Sequence, residues 1–207
     1  MIGCYSCLSC HRCDNTDRRD SISVDTTLSY LRSIDPEYTT PLCSDPPAVI
    51  IMDIVPYDNI TQDYLKDIKD SILHFVAARK LGILIERLPN ENYHLSEKYY
   101  YKPRKRYLAV KILEDMGKEY KNRDFQFSTI HLTDKDISMP LHGSSNYGII
   151  GLASIKHRVA IVSTHRVPKA NVWKAILHEF CHTRGMVHCN DDKCIMASGK
   201  GRGDFSN

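Results

Sequence analysis

Residues 178–188 read His-Glu-Phe-Cys-His-Thr-Arg-Gly-Met-Val-His. His178 and His182 are four apart, so a helix stacks them on one face, one turn from each other. Two imidazoles so placed can share one metal ion. Glu179 follows the first histidine, where its carboxylate can reach a water on that metal without displacing it. Gly185 permits the left-handed backbone that ends a helix and turns the chain back. That return would bring His188 round as a third nitrogen ligand. Three protein ligands leave a fourth position for water, the arrangement of a catalytic zinc site and not of a structural one.

A plain H-E-x-x-H arises by chance, as two solvated histidines on a helix. The extended H-E-x-x-H-x-x-G-x-x-H fixes five positions and matches the metzincin-type pattern. The flanks agree with it. Trp173, Ile176, Leu177 and Phe180 form one apolar stripe at helical spacing. At about 100° per residue the two histidines point to the other side of that helix. Pro168 suits its start, where a missing N–H leaves nothing unpaired.

Beyond His188 the chain continues Cys189-Asn-Asp-Asp-Lys-Cys194-Ile-Met196. A cysteine directly after the third histidine, a second one five on, and Cys-x-Met resemble the archaemetzincin family of zinc metallopeptidases. Tyr-Gly-Ile-Ile-Gly-Leu-Ala (147–153) followed by Val-Ala-Ile-Val-Ser-Thr (159–164) resembles the paired strands before that family's active-site helix. The resemblance covers about the last 60 residues by motif and strand order. The stretch from about residue 48 fits more loosely, and the first 45 or so do not fit.

The resemblance implies that His178, His182 and His188 bind the catalytic zinc and that Glu179 is general base and then proton shuttle. It implies that Met196 forms the hydrophobic floor of a Met-turn, and that Cys189 and Cys194 are two of four thiolates on a second, structural zinc. In the family a Cys-x-x-Cys further downstream completes that site, whereas here no cysteine follows Cys194 before Asn207. Substrate, by the same resemblance, would lie as an added strand along an edge near Gly151, Leu152, Ala153 and Ser154.

Cys4, Cys7, Cys10 and Cys13 form three overlapping C-x-x-C steps near the other end. Two of these thiolates could join Cys189 and Cys194 on one zinc, because C-x-x-C supplies a ligand pair with suitable bite. They could instead close a zinc site of their own. An iron–sulfur cluster lacks its usual longer gap and following proline. The plain alternative is a reduced, redox-sensitive tail. Disulfides would need an oxidising compartment. The N-terminal residues have no basic region or apolar stretch of a signal peptide, and no run approaches the roughly 18 apolar residues of a membrane span. The expectation is therefore a cytoplasmic protein with metal-bound thiols. Cys181 faces away from the histidines and is expected to pack.

The 207 residues suffice for one domain with a real core. A net charge of +3, with 42% hydrophobic and 26% charged residues, is too mild to imply nucleic acid. Residues 1–45 read as a polar, cysteine-containing extension and 46–207 as a zinc peptidase domain. Within the latter, Ala48–Val55 reads as a buried strand. Thr61 caps a helix to about Lys80, ended by Gly82, with Leu65, Ile68, Ile72 and Phe75/Val76 on one stripe. Ile83–Leu88 and Phe125–Leu132 read as strands and 104–121 as a helix. Ile149–Ile155 and Val159–Ser163 read as a strand pair joined by Lys156-His157-Arg158. The order predicts a single α/β (α+β) domain: a metzincin-like mixed β-sheet with packed helices and an active-site helix carrying the histidines.

Lys102-Pro-Arg-Lys-Arg106 reads as a solvated helix start. His131, His142, His157 and His165 have no ligand spacing and receive no role. The leading expectation is hydrolysis of peptide bonds in a peptide or protein substrate, by water activated at zinc and deprotonated by Glu179. The protein is expected to act as a monomer, without nucleic acid or membrane. The alternative is a non-catalytic zinc-binding or interaction protein diverged from a peptidase. It leaves unexplained an acid placed beside the metal-bound water.

Overall fold

The β-branched run Ile50–Pro56 forms strand β1, and its last five residues are buried. They lie between two layers of helix, which suits Met52, Ile54 and Val55, while Asp53 is a buried acid among them. The computed structural model describes residues 50–79, 81–85, 93–120, 124–141, 143–191 and 194–197. The expected boundary near residue 45, and the five cysteines before it, lie outside the described residues.

Thr61 opens helix α1 (Gln62–Ala78), its hydroxyl accepting from the Tyr64 N–H at 3.3 Å. Leu65, Ile68, Ile72 and Val76 form its buried stripe, as the spacing predicts. The end differs from expectation. The carbonyl of Val76 accepts from Arg79 N at 3.3 Å and Leu81 N at 2.9 Å, so the turn closes before Gly82. Gly82 is not among the left-handed glycines. Strand β2 (Ile83–Ile85) follows; the remainder of the expected 83–88 strand lies outside the described residues.

Four further strands end the surprises of the middle third. The expected helix over 104–121 begins only at Ala109. Tyr100–Tyr101 form β3, Lys102–Arg104 a single 3-10 turn and Arg106–Leu108 β4, before helix α2 (Ala109–Glu119). Pro103 and the left-handed Lys105 (φ 52°) bar an α-helix from running through this segment. Ile137–Leu141 (β6) and Ser144–Ile149 (β7) complete a second sheet in the order β3-β4-β6-β7. Ile149 thus ends one strand instead of starting the next. Arg106 is no solvated cation: its Nε donates to Asp136 at 2.9 Å, and Arg166 donates to both oxygens of that carboxylate at 2.7 and 2.6 Å.

The main sheet has the order β2-β1-β5-β9-β8, with β5 at Phe127–Thr133, β8 at Gly151–Ser154 and β9 at Val159–Ser163. β2, β1, β5 and β9 run parallel to their neighbours, and β8 pairs antiparallel with β9 at one edge. Helix α3 (Val172–Thr183) follows β9 after a 3-10 turn at Lys169–Asn171 that begins behind Pro168. One sheet face packs Met52, Ile54, Ile130, Leu132, Ala160 and Val162 with α1 and α3. The other packs Val159 and Ile161 with α2. The resulting mixed α/β domain has helices on both faces of its sheet. Among the described residues no helix is long and apolar enough to cross a membrane.

Candidate metal centre

Helix α3 is the platform. Ile176, Leu177, Phe180 and Cys181 are each at most 2% exposed, and Trp173 stacks on Phe75 of α1 at 5.3 Å between ring centroids. This anchorage fixes the direction in which His178 and His182 leave the helix. Cys181 packs as expected; it is free, and burial pushes its thiol far above the ordinary range.

Gly185 stands at φ 82°, in the left-handed region that only glycine enters freely. Arg184 is the last residue of the turn. Gly185 N donates to His182 O at 3.0 Å and Met186 N to Cys181 O at 3.1 Å, the paired bonds of a Schellman motif. The chain reverses there, and His188 meets the two helical histidines.

The three rings converge. His182 Nε2 lies 3.0 Å from His178 Nε2 and 3.2 Å from His188 Nε2. All the ligand atoms of this trio lie within 4.8 Å of one another. The protons on the far nitrogens can be assigned. His178 Nδ1 faces Ile195 O at 2.7 Å and His182 Nδ1 faces Met186 O at 2.7 Å. A carbonyl only accepts, so each Nδ1 carries the proton and donates it. Each Nε2 is then left with a bare lone pair. Lone pairs aimed at one another across about 3 Å repel unless a cation lies among them. The donor set therefore fits a divalent ion that takes imidazole, zinc among them.

Electrostatics favour the same state. Burial, and then the neighbouring His178, hold the His182 imidazole down to about 4. Burial also lowers His178 and His188. The trio is thus neutral near pH 7 and ready to ligate. Glu179 is 8% exposed, and burial pushes its carboxyl up to about 8. Without a cation it holds its proton at pH 7; a dication nearby favours the carboxylate. Zinc binding at pH 7 should then release about one proton more from the wild type than from Glu179→Gln. Zinc affinity should rise with pH up to about 8 because of this group. Calorimetry in buffers of different ionisation enthalpy measures the difference, and equal release from both proteins would remove Glu179 from the account.

Other expected residues fall as follows. Met196 is fully buried in the core that contains Ile176 and Phe180, and its neighbour Ile195 supplies the carbonyl to His178. Cys189 is half-buried and free; its N–H donates to Met196 O at 2.8 Å, and its Sγ lies 3.5 Å from Asp191 N. Cys194 is 4% exposed and disulfide-bonded, not a free thiol. His131 is buried in β5 between the rings of Tyr57 and Tyr120. His157 folds back on Ser154 Oγ at 3.2 Å in the β8–β9 turn. His142 lies outside the described residues.

Sequence reasoning could not find the two carbonyls of Ile195 and Met186, because main-chain groups carry no residue signature. It did name Gly151–Ser154, and the pairing refines that segment. Ser163 N donates to Ile150 O at 2.8 Å, which sets the alternation of the antiparallel ladder. Leu152 and Ser154 bond to β9, while Gly151 and Ala153 turn their main-chain groups to the outer edge.

Comparison with known proteins bears on this assembly. No protein-family model matches the chain. An archaemetzincin of Thermococcus kodakarensis is 25% identical over 156 residues, spanning 69% of this chain and 80% of that protein. An archaemetzincin of Pyrococcus furiosus is 26% identical over 158 residues, spanning 69% and 78%. Over about two thirds of its length the chain is similar to archaemetzincins. The crystal structure of an archaemetzincin from Methanopyrus kandleri superposes with a TM-score of 0.58 at 24% identity, over 76% of this chain and 87% of that one. A zinc-dependent peptidase from Methanocorpusculum labreanum superposes with the same TM-score at 19% identity, over 75% and 91%. These two show an archaemetzincin-like fold for the sheet and helices described above.

Proposed function

We propose that this chain is a zinc metallopeptidase that hydrolyses peptide bonds. The convergence of three imidazole Nε2 atoms, with the buried Glu179 next to His178 in the chain, carries the proposal. The archaemetzincin relatives support it. His178, His182 and His188 would hold the ion, and the carbonyls of Ile195 and Met186 keep two of the ligands in the right tautomer. A zinc ion there would supply Lewis-acid polarisation of a carbonyl and lower the pKa of a water.

The chain's own groups do the rest. Glu179 takes a proton from the attacking water and returns it to the leaving amine. A carboxyl that burial has already raised is well matched to that exchange near neutral pH. The outer main-chain groups of Gly151 and Ala153 would hold an extended peptide antiparallel or parallel to β8, as an added strand. A non-catalytic zinc protein would have no use for a buried acid at this point, and desolvating it weakens the fold.

For the second ion, Cys189 and reduced Cys194 would be two thiolate ligands, with two of Cys4, Cys7, Cys10 and Cys13 completing a tetrahedron. The extension 1–45 would then belong functionally to the domain 46–207. The protein would work as a cytoplasmic monomer, without nucleic acid or membrane.

Metal content per chain under reducing conditions, followed by a peptide-library screen, tests these statements together. Two zinc ions per wild-type chain, one in Cys189→Ser, and cleavage abolished by a chelator and restored by zinc are expected. One ion in both proteins would dismiss the thiolate site. A zinc-loaded chain that cleaves no peptide would dismiss the peptidase.

A further inference from the structure

Gly151 begins β8 and lies under the side chain of Glu179. A Cβ built on Gly151 would stand 2.5 Å from Glu179 Cγ and 2.6 Å from both its Cδ and Oε1. Real Cβ atoms do not approach other heavy atoms so closely. Its φ lies outside the positive range that favours glycine, so nothing in the strand backbone asks for one here. The side chain of Glu179 asks for it.

We propose that Gly151 is a positioning residue: its missing side chain forms the slot that seats the Glu179 carboxylate beside the three histidines. The slot cannot be widened by withdrawing the helix, because Ile176, Leu177, Phe180 and Cys181 hold α3 in the core. Nor can β8 withdraw easily, since all four of its residues are paired with β9. A methyl group at position 151 must therefore turn the carboxylate away. The same residue directs its main-chain groups to the outer edge of β8, so one glycine brings a strand edge and the base together. A larger residue would disturb the base even where an extended peptide could still dock.

This inference rests on the peptidase reading only for its kinetic arm. In Gly151→Ala, kcat for peptide cleavage should fall about 10²-fold, the scale of a misplacement of about 1 Å. KM and zinc content should remain near wild type, which separates a displaced base from a blocked substrate path. The second arm is a thermal cycle on the metal-free proteins. Gly151→Ala should lower Tm in the wild type but not in the Glu179→Ala background, where the clashing atoms are gone. That double variant also guards against a single variant that fails to fold. An unchanged kcat in Gly151→Ala, or equal Tm losses in both backgrounds, would overturn the proposal. If the wild type cleaves nothing, the peptidase reading fails, and the thermal cycle alone decides whether Gly151 seats Glu179.

Discussion

Glu179→Ala should retain zinc on the three histidines and lose about 10²–10⁴-fold in kcat for peptide hydrolysis. The two halves of this result have separate causes. Zinc should be retained because the atoms proposed to hold it belong to His178, His182 and His188. Two of these are held by carbonyls that the substitution does not touch. Activity should be lost because Glu179 is the buried acid next to His178 in the chain and the one proposed to accept and return the proton. The loss should fall on kcat, since the carboxylate acts in the transition state and an added-strand substrate is held by the β8 main chain. Steady-state kinetics on a cleaved library peptide, with metal analysis of the same sample, makes the measurement. Undiminished kcat would remove Glu179 from the mechanism. Removing a buried carboxyl should also raise the stability of the metal-free fold above pH 4.5, its ordinary value. From there to about 8 the unfolded carboxyl ionises while the folded one holds its proton, so this group costs stability as pH rises.

His182→Ala should abolish zinc binding at the histidine trio, and with it the proposed activity. Its Nε2 is the central atom of the trio, at 3.0 and 3.2 Å from the other two. Without it, His178 and His188 form a two-ligand site. Loss of an outer partner of a zinc ligand lowers affinity by about 10–100-fold, and loss of a ligand should exceed that. Equilibrium dialysis at pH 7 reads the difference; full zinc occupancy in the variant would show that the trio does not hold the metal. The metal-free proteins should differ in acid. The folded His182 imidazole refuses the proton until about pH 4, whereas the unfolded one accepts it near 6.5. Wild-type stability is therefore lost as pH falls from 6.5 towards 4, and this share of the loss is absent from the variant.

Local periodicity was readable wherever one face of an element is buried and the other is not. The stripe of α1 and its Thr61 cap are of that kind, whereas β1, β5 and β9, buried on both faces, were readable as short runs bounded by turns. The second sheet was not readable. Its strands are short, β6 contains Pro140 and β7 is rich in Ser and Asn, so neither propensity nor alternation marks them. Tyr107 looked like one face of a helix because a tyrosine packs equally well on a strand. Its ring in fact lies 5.1 Å from that of Tyr100 across the β3–β4 pair.

The sequence alone determined which three histidines meet, because i, i+4 spacing on a helix and a left-handed glycine after it are local geometry. It also determined that Glu179 stands next to the first ligand. Tertiary structure decided which nitrogen of His178 and His182 is bare, through carbonyls delivered by a later turn. It decided that the Glu179 carboxyl is raised, which follows from burial and not from the residue's type. It decided, too, that Gly151 must lack a side chain, since only the packing of α3 across β8 brings that strand under the carboxylate. Spacing along a chain encodes contacts within a turn or two of helix, whereas desolvation and close approach are set by residues far away in sequence.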